Sequence, residues 1–153
     1  MMADTPSTEE IPLYETLNCT GFHLRKATRS ITHIYNRALT PTKLLMTQFS
    51  ILAVLAEYSP CSIRLSAEAL GMDSTTFSRN LCPLERRQLV QRNTDTKDQR
   101  TQIIELTEQG RQALQEARPY WQAAQTQIIS KMGEGNWQHL LQDLRFLAEM
   151  KKS

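Results

Sequence analysis

A mainly α-helical domain carrying one β-hairpin is the fold that this 153-residue chain predicts, and three observations carry the prediction. Apolar residues recur at spacings of three, four and seven through most of the chain, the pattern of helices that bury one face. One segment alone, residues 90–106, changes to two short runs on either side of a charged loop. Only five glycines and six prolines occur, little turn material for a sheet-rich fold. With 40% apolar, 22% charged and 7% aromatic residues, the composition is that of one domain with a single core. The longest apolar stretch, the broken run from Phe49 to Ala56, is far short of the roughly 20 residues needed to cross a bilayer.

Residues 1–12 carry acidic side chains but neither a basic cluster nor an apolar run, so they read as a flexible arm rather than a targeting peptide, and a cytoplasmic protein is expected. From Tyr14 to Leu39, Leu17, Leu24, Ala27, Ile31, Ile34, Tyr35 and Ala38 form one helical stripe, which ends at Thr40-Pro41. A second, short helix follows, with Thr47 in the N-cap position and Phe49, Leu52, Ala53, Leu55 and Ala56 turned inward. Ser62 caps a third helix through Leu70, where Gly71 supplies a left-handed stop. Asp73 or Ser74 opens a fourth, with Phe77, Leu81 and Leu84 inward and the polar residues between them outward. Val90 to Thr94 and Gln102 to Leu106 pair as a hairpin around the loop Asp95 to Thr101. Thr107 caps a long helix, which Pro119 should kink. Beyond the break at Gly133 and Gly135 lies a last helix striped by Trp137, Leu140, Leu141, Leu144, Leu147 and Ala148. One chain has too few helices to cover that stripe, so a homodimer is predicted.

Two short helices joined by Gly-Met-Asp, then a hairpin, have the layout of a winged helix-turn-helix. The segment Leu70-Gly71-Met72-Asp73-Ser74-Thr75-Thr76-Phe77-Ser78-Arg79-Asn80-Leu81, continued by Leu84-Glu85-Arg86-Arg87-Gln88-Leu89-Val90, resembles the core of the MarR family, the multiple antibiotic resistance regulators. Asp95-Thr96-Lys97-Asp98-Gln99-Arg100, followed by Leu106-Thr107-Glu108-Gln109-Gly110, is similar to that family's wing and the start of its long dimerisation helix. The resemblance covers about residues 15–150. It implies one domain over residues 13–153, in which 47–106 form the winged lobe while 13–40 and 107–153 form the homodimerisation helices.

The resemblance also implies a sequence-specific regulator of transcription, a repressor, whose paired recognition helices enter successive major grooves of a pseudo-palindromic duplex operator. Half-sites would then lie roughly 34 to 36 Å apart. Thr75, Thr76, Ser78 and Asn80 offer hydroxyls and an amide to bases and phosphates, Arg79 can grip guanine with two hydrogen bonds, and Arg86 adds charge. Lys97 and Arg100 would carry the wing into a minor groove, Arg100 more effectively because its planar fork outreaches a point charge. From Cys61 to Arg100 basic side chains exceed acidic ones by two, which is the whole net charge of the chain. Family members commonly have glycine where Gln88 stands, so a left-handed backbone there would be strained. Pro83 removes a donor from the second half of the recognition helix.

Members of the family bind small aromatic or anionic effectors in a cleft beside the dimer helices, for which Phe22, His23, Arg25, Tyr35 and Phe49 are the candidates here. Cys19 is read either as a buried, inert thiol or as a reactive one responsive to oxidants, with Arg25 and Lys26 nearby in sequence. Cys61, in a loop, and Cys82 are read as structural. Three cysteines and three histidines without ligand spacing argue for reduced thiols and no metal. No cofactor is expected. An enzyme using Cys19 with a histidine lacks a phosphate loop, nucleophile elbow or carboxylate pair. A helical interaction module that has lost DNA binding is the remaining alternative.

Overall fold

Eight helical and strand segments follow the predicted order in the computed structural model, which describes residues 17–96 and 99–150. They are α1 (Thr20–Leu39), a 3-10 turn (Thr40–Thr42), α2 (Met46–Tyr58), β1 (Cys61–Ser62), α3 (Ile63–Ala69), α4 (Ser74–Arg86), β2 (Val90–Thr94), β3 (Gln102–Leu106), α5 (Glu108–Met132) and α6 (Glu134–Glu149), with β1 and the 3-10 turn as additions. The arm 1–12 and residues 14–16 of the expected first helix lie outside the described residues, and the described helix starts at Thr20, after a turn at Leu17 and Asn18, rather than at Tyr14. Among those described, no single helix is long and apolar enough to cross a membrane. The chain divides into two compact units after His33. Residues 17–33 hold the first part of α1, mostly exposed, with the Phe22 and His23 rings edge to face at 5.5 Å.

In residues 34–150 the core draws on most of the predicted stripes, with Ile51 added and Ala53, expected inward, exposed. Leu39, Ile51, Leu52 and Leu55 meet Phe77, Leu81 and Leu84 of α4 and Ile104 of β3, all fully buried, together with Leu44, Leu89, Val90 and Ala117. Each large side chain buried there contributes roughly 1.5–3 kcal/mol. Trp121 of α5 stacks on Phe49 at 5.7 Å and on Tyr35 at 6.4 Å, and the Tyr35 hydroxyl donates to Gln125 Oε1. Burial pushes the Tyr35 phenol above its ordinary value.

Caps set most of the boundaries. Ser62 Oγ accepts from the Leu65 amide at 3.2 Å, and Gly71 (φ +63°) ends α3 with Met72 N–H on Ala67 O and Gly71 N–H on Glu68 O. The end of α4 repeats this geometry: Leu89 N–H reaches Leu84 O, Gln88 N–H reaches Glu85 O, and Gln88 takes the left-handed φ of +57°. The predicted strain at Gln88 is therefore present. Thr47 is not the cap of α2. The helix begins at Met46, whose amide donates to Asn36 Oδ1 at 2.7 Å while Leu45 N–H donates to Gln48 Oε1, and Thr47 spends its hydroxyl on Asn80 Oδ1. Both α4 and α5 run on through Pro83 and Pro119.

The hairpin has the predicted register, Val90 opposite Leu106 through Thr94 opposite Gln102. A third strand joins it: β1 pairs antiparallel with β3, Cys61 opposite Ile104, so Cys61 sits in the sheet rather than in a loop. Thr107 then ties wing to long helix. Its hydroxyl donates to Gln88 O at 2.7 Å and accepts from Gly110 N–H, while its own amide donates to Leu89 O. Gly110 is buried against that same Leu89 carbonyl, so closely that a Cβ would lie 1.9 Å from the oxygen. Gly110, Ala117 and Ala124 are the buried residues of α5, seven apart, a seam of small side chains. No residue of α6 is buried, and Leu140, Leu144, Phe146 and Met150 are exposed.

Candidate nucleic-acid interface

The second helix of the helix-turn-helix is positioned from both sides. At its start Asp73 Oδ1 accepts the Thr76 amide at 2.8 Å and Oδ2 accepts the Thr76 hydroxyl at 2.7 Å. These bonds hold the Asp73 carboxyl below its ordinary range, because they favour the charged form. Along its inner side Phe77, Leu81 and Leu84 are locked in the core. With one side immobilised, the 3.6-residue period turns Thr75, Arg79 and Arg86 out to solvent, while Thr76, Ser78 and Asn80 are half-buried.

The candidate reading residues therefore fall into two groups. Thr75, Arg79 and Arg86 are exposed on α4, and Arg79 has the reach of a guanidinium. Thr76 and Asn80 have structural partners: Thr76 completes the cap, and Asn80 donates to Thr76 O at 2.8 Å while accepting from Thr47 on α2. Asn80 thus joins the two helices that set the angle of α4.

The wing stands beside this helix. After buried Val90 the rest of β2 is exposed. Asp95 N–H to Thr101 O at 2.9 Å closes the loop, and Arg100 is exposed near its end. Lys97 and Asp98 lie outside the described residues, and with them the pairing of Asp98 with an arginine such as Arg86. Sequence reasoning missed what sets the wing against α4: Arg92 Nε donates to Glu85 Oε1 at 2.8 Å, in a pair whose side chains are about one-third exposed. Glu105 Oε2 accepts from both Gln91 and Asn93 along the strands. At the far end of α4, Arg87 donates to Lys43 O at 2.8 Å, fastening the helix to the turn after α1.

The other candidates divide between the two units. Tyr35 and Phe49 come together on Trp121 and are buried, their ring faces used in packing. Phe22, His23 and Arg25 belong to the unit before His33, all exposed. The Cys19 thiol is exposed, as is Cys82, so the buried reading of Cys19 is set aside. Among the described residues no group of three His, Cys, Asp or Glu side chains is arranged to hold a metal ion.

Comparison with known proteins agrees with this geometry. The family model for the transcriptional regulators SarA/Rot matches residues 33–117. The transcriptional regulator MosR of M. tuberculosis, solved in complex with DNA, superimposes with a TM-score of 0.79 at 34% identity, covering 88% of this chain and 96% of that one. A MarR-family regulator from Rhodococcus sp. RHA1 gives 0.75 at 26% identity over 89% and 94%. The transcriptional repressor CouR bound to a 23-mer DNA duplex gives 0.79 at 26% identity over 91% and 99%. CouR from Rhodococcus jostii RHA1 has also been solved with p-coumaroyl-CoA, giving 0.72 at 27% identity over 84% and 90%.

Proposed function

The chain belongs to the SarA/Rot family of transcriptional regulators, DNA-binding winged-helix proteins of MarR type, and from that premise we propose that it is a cytoplasmic homodimeric repressor of a specific operator, released by a small effector or an oxidant. The observation that carries this reading is α4 itself: a helix capped by Asp73, nailed down by Phe77, Leu81 and Leu84, and presenting Thr75 and Arg79 to solvent beside an exposed wing with Arg100. Arg79 reads a base in the major groove, while Thr75, Ser78 and Arg86 hold backbone or base edges. Arg100 and Lys97 follow the adjoining minor groove. Thr76 and Asn80 act mainly by setting the helix, since their polar groups already have partners within the fold.

Dimerisation through the segments 13–40 and 107–153 accounts for the exposed Leu140, Leu144 and Phe146 on α6 and Met150 just after it, and a two-fold dimer matches an operator with two half-sites. Release follows from differential affinity: an effector loosens the grip only by preferring the arrangement that does not fit DNA. The relative CouR, a repressor seen with DNA and with an aromatic acyl-CoA, supports an aromatic or anionic effector; of the candidate contacts Phe22, His23 and Arg25 are exposed, whereas Tyr35 and Phe49 already pack on Trp121. The thiol of Cys19 is exposed to an oxidant, as is that of Cys82. The test is the double variant Arg79→Ala/Arg100→Ala, with the dimer checked by sedimentation. Specific operator binding should vanish while the dimer persists; unchanged binding would refute the assignment.

A further inference from the structure

We infer that a polar cleft between the helix-turn-helix and the wing seats one phosphodiester of the DNA backbone, with Arg64 as its principal cation, an inference that rests on the DNA-binding reading above. The cleft has a volume of about 380 Å³ and is lined by Ser62, Arg64, Ser74, Arg100, Thr101 and Gln102, with Ile63 as its one apolar side chain. Three elements meet there: the start of α3, the first residue of α4 and, from much further along the chain, the base of the wing. Two guanidinium-bearing residues, three hydroxyls and an amide line it, and among the described residues no carboxylate does. A larger cavity of about 520 Å³ shares only Ser62 with it, has mostly apolar walls including Val54, Leu65 and Ile103, and contains Asp95, which suits no anion.

The place of the cleft supplies the ligand. With α4 in a major groove and the wing in the adjoining minor groove, the sugar-phosphate strand dividing those grooves has to pass between them. That gap is the cleft. Ser74 opens α4, whose first-turn amide is already taken by the Asp73 carboxylate, so the attraction for a phosphate falls to the guanidinium, whose fork matches two phosphate oxygens. The Ser62 oxygen accepts from Leu65 N–H, which leaves its hydroxyl proton for a phosphate. Arg64 lies 3.8 Å from Glu68 on the same helix, both side chains well exposed, a pair weak enough for the guanidinium to turn to DNA.

The test is Arg64→Gln in the full chain, with Arg64→Lys beside it, titrated across a salt series against operator and unrelated duplexes of equal length. Arg64→Gln should weaken both duplexes alike, by roughly tenfold at moderate salt, and make the slope of log K against log salt shallower by about one per protomer. Arg64→Lys should restore the slope but not the whole affinity, because a point charge lacks the fork. In ethylation interference, one phosphate per half-site should block the wild type and lose its effect in Arg64→Gln. A wild-type protein that binds the operator, with slope and interference pattern unchanged in Arg64→Gln, overturns the phosphate seat alone. No salt-dependent binding by the wild type overturns it together with the DNA reading. Competition by inorganic phosphate beyond that of chloride at matched ionic strength would put a free anion in the cleft and overturn the backbone assignment.

Discussion

Replacing Gly110 by alanine probes the joint at which the wing meets the long helix. The added Cβ would lie 1.9 Å from Leu89 O and 2.8 Å from Leu106 Cδ1, and the nearer atom is backbone that also accepts the Thr107 amide. Relief requires α5 and the start of β2 to separate by more than about an ångström. Overpacking of that kind costs about 1–3 kcal/mol and a weakened hydrogen bond about 1 more, against a gain of at most about 1 from alanine's helix propensity. A net loss of roughly 1–3 kcal/mol lowers the melting temperature by roughly 2–12 °C for a chain of this length. Thermal denaturation followed by circular dichroism, at one fixed protein concentration because dimerisation shifts the midpoint, measures it. Gly135→Ala in α6 is the control. Nothing lies within 4 Å of the Cβ it adds, so its midpoint should hold or rise slightly. If Gly110→Ala melts with the wild type, the close contact of α5 with Leu89 is wrong.

Gln88→Gly should raise the melting temperature by about 1–3 °C, since the left-handed φ costs a side chain about 1–2 kcal/mol and glycine's looser unfolded state returns part of that. Asp73 has a carboxyl held below its ordinary value of 3.8, so its contribution is full above that value and is lost as pH falls through the lowered one. Asp73→Asn should accordingly narrow the stability difference between pH 7 and pH 3 in urea titrations; an unchanged difference would deny the cap its charge. Leu140→Lys with Leu144→Lys should convert the dimer to monomer in sedimentation velocity and lower operator affinity, whereas an intact dimer would show that α6 lies outside the interface.

Much of the lobe is legible in the chain because its punctuation is local. Ser62, Asp73 and Thr107 each satisfy an amide three residues away, and the 90–94 and 102–106 runs bracket a charged loop, so their signals lie within one window. What escapes the reading depends on distant groups. Thr47 has the chemistry of a cap, yet the α2 amides are met by Asn36 and Gln48, and Thr47 turns to Asn80 across the helix pair. Two residues are too few for a periodic pattern, so β1 shows only when Ile103 and Ile104 are there to pair with it. Gly110 stands in a motif, but the reason for glycine is a carbonyl 21 positions earlier in the chain. The same holds for the candidate site: the outward turn of Arg79 follows from the α4 period, whereas Arg92 with Glu85, and Arg64 with the wing, meet only in three dimensions.

The most direct test of specific duplex binding by α4 and the wing is a gel-shift titration of the purified protein against the DNA flanking its own gene, with excess unrelated competitor and a salt series. A discrete complex that survives competitor and weakens steeply as salt rises is the predicted result. A verified dimer that gives only competitor-sensitive smearing, there and with a pool of random duplexes, would contradict it.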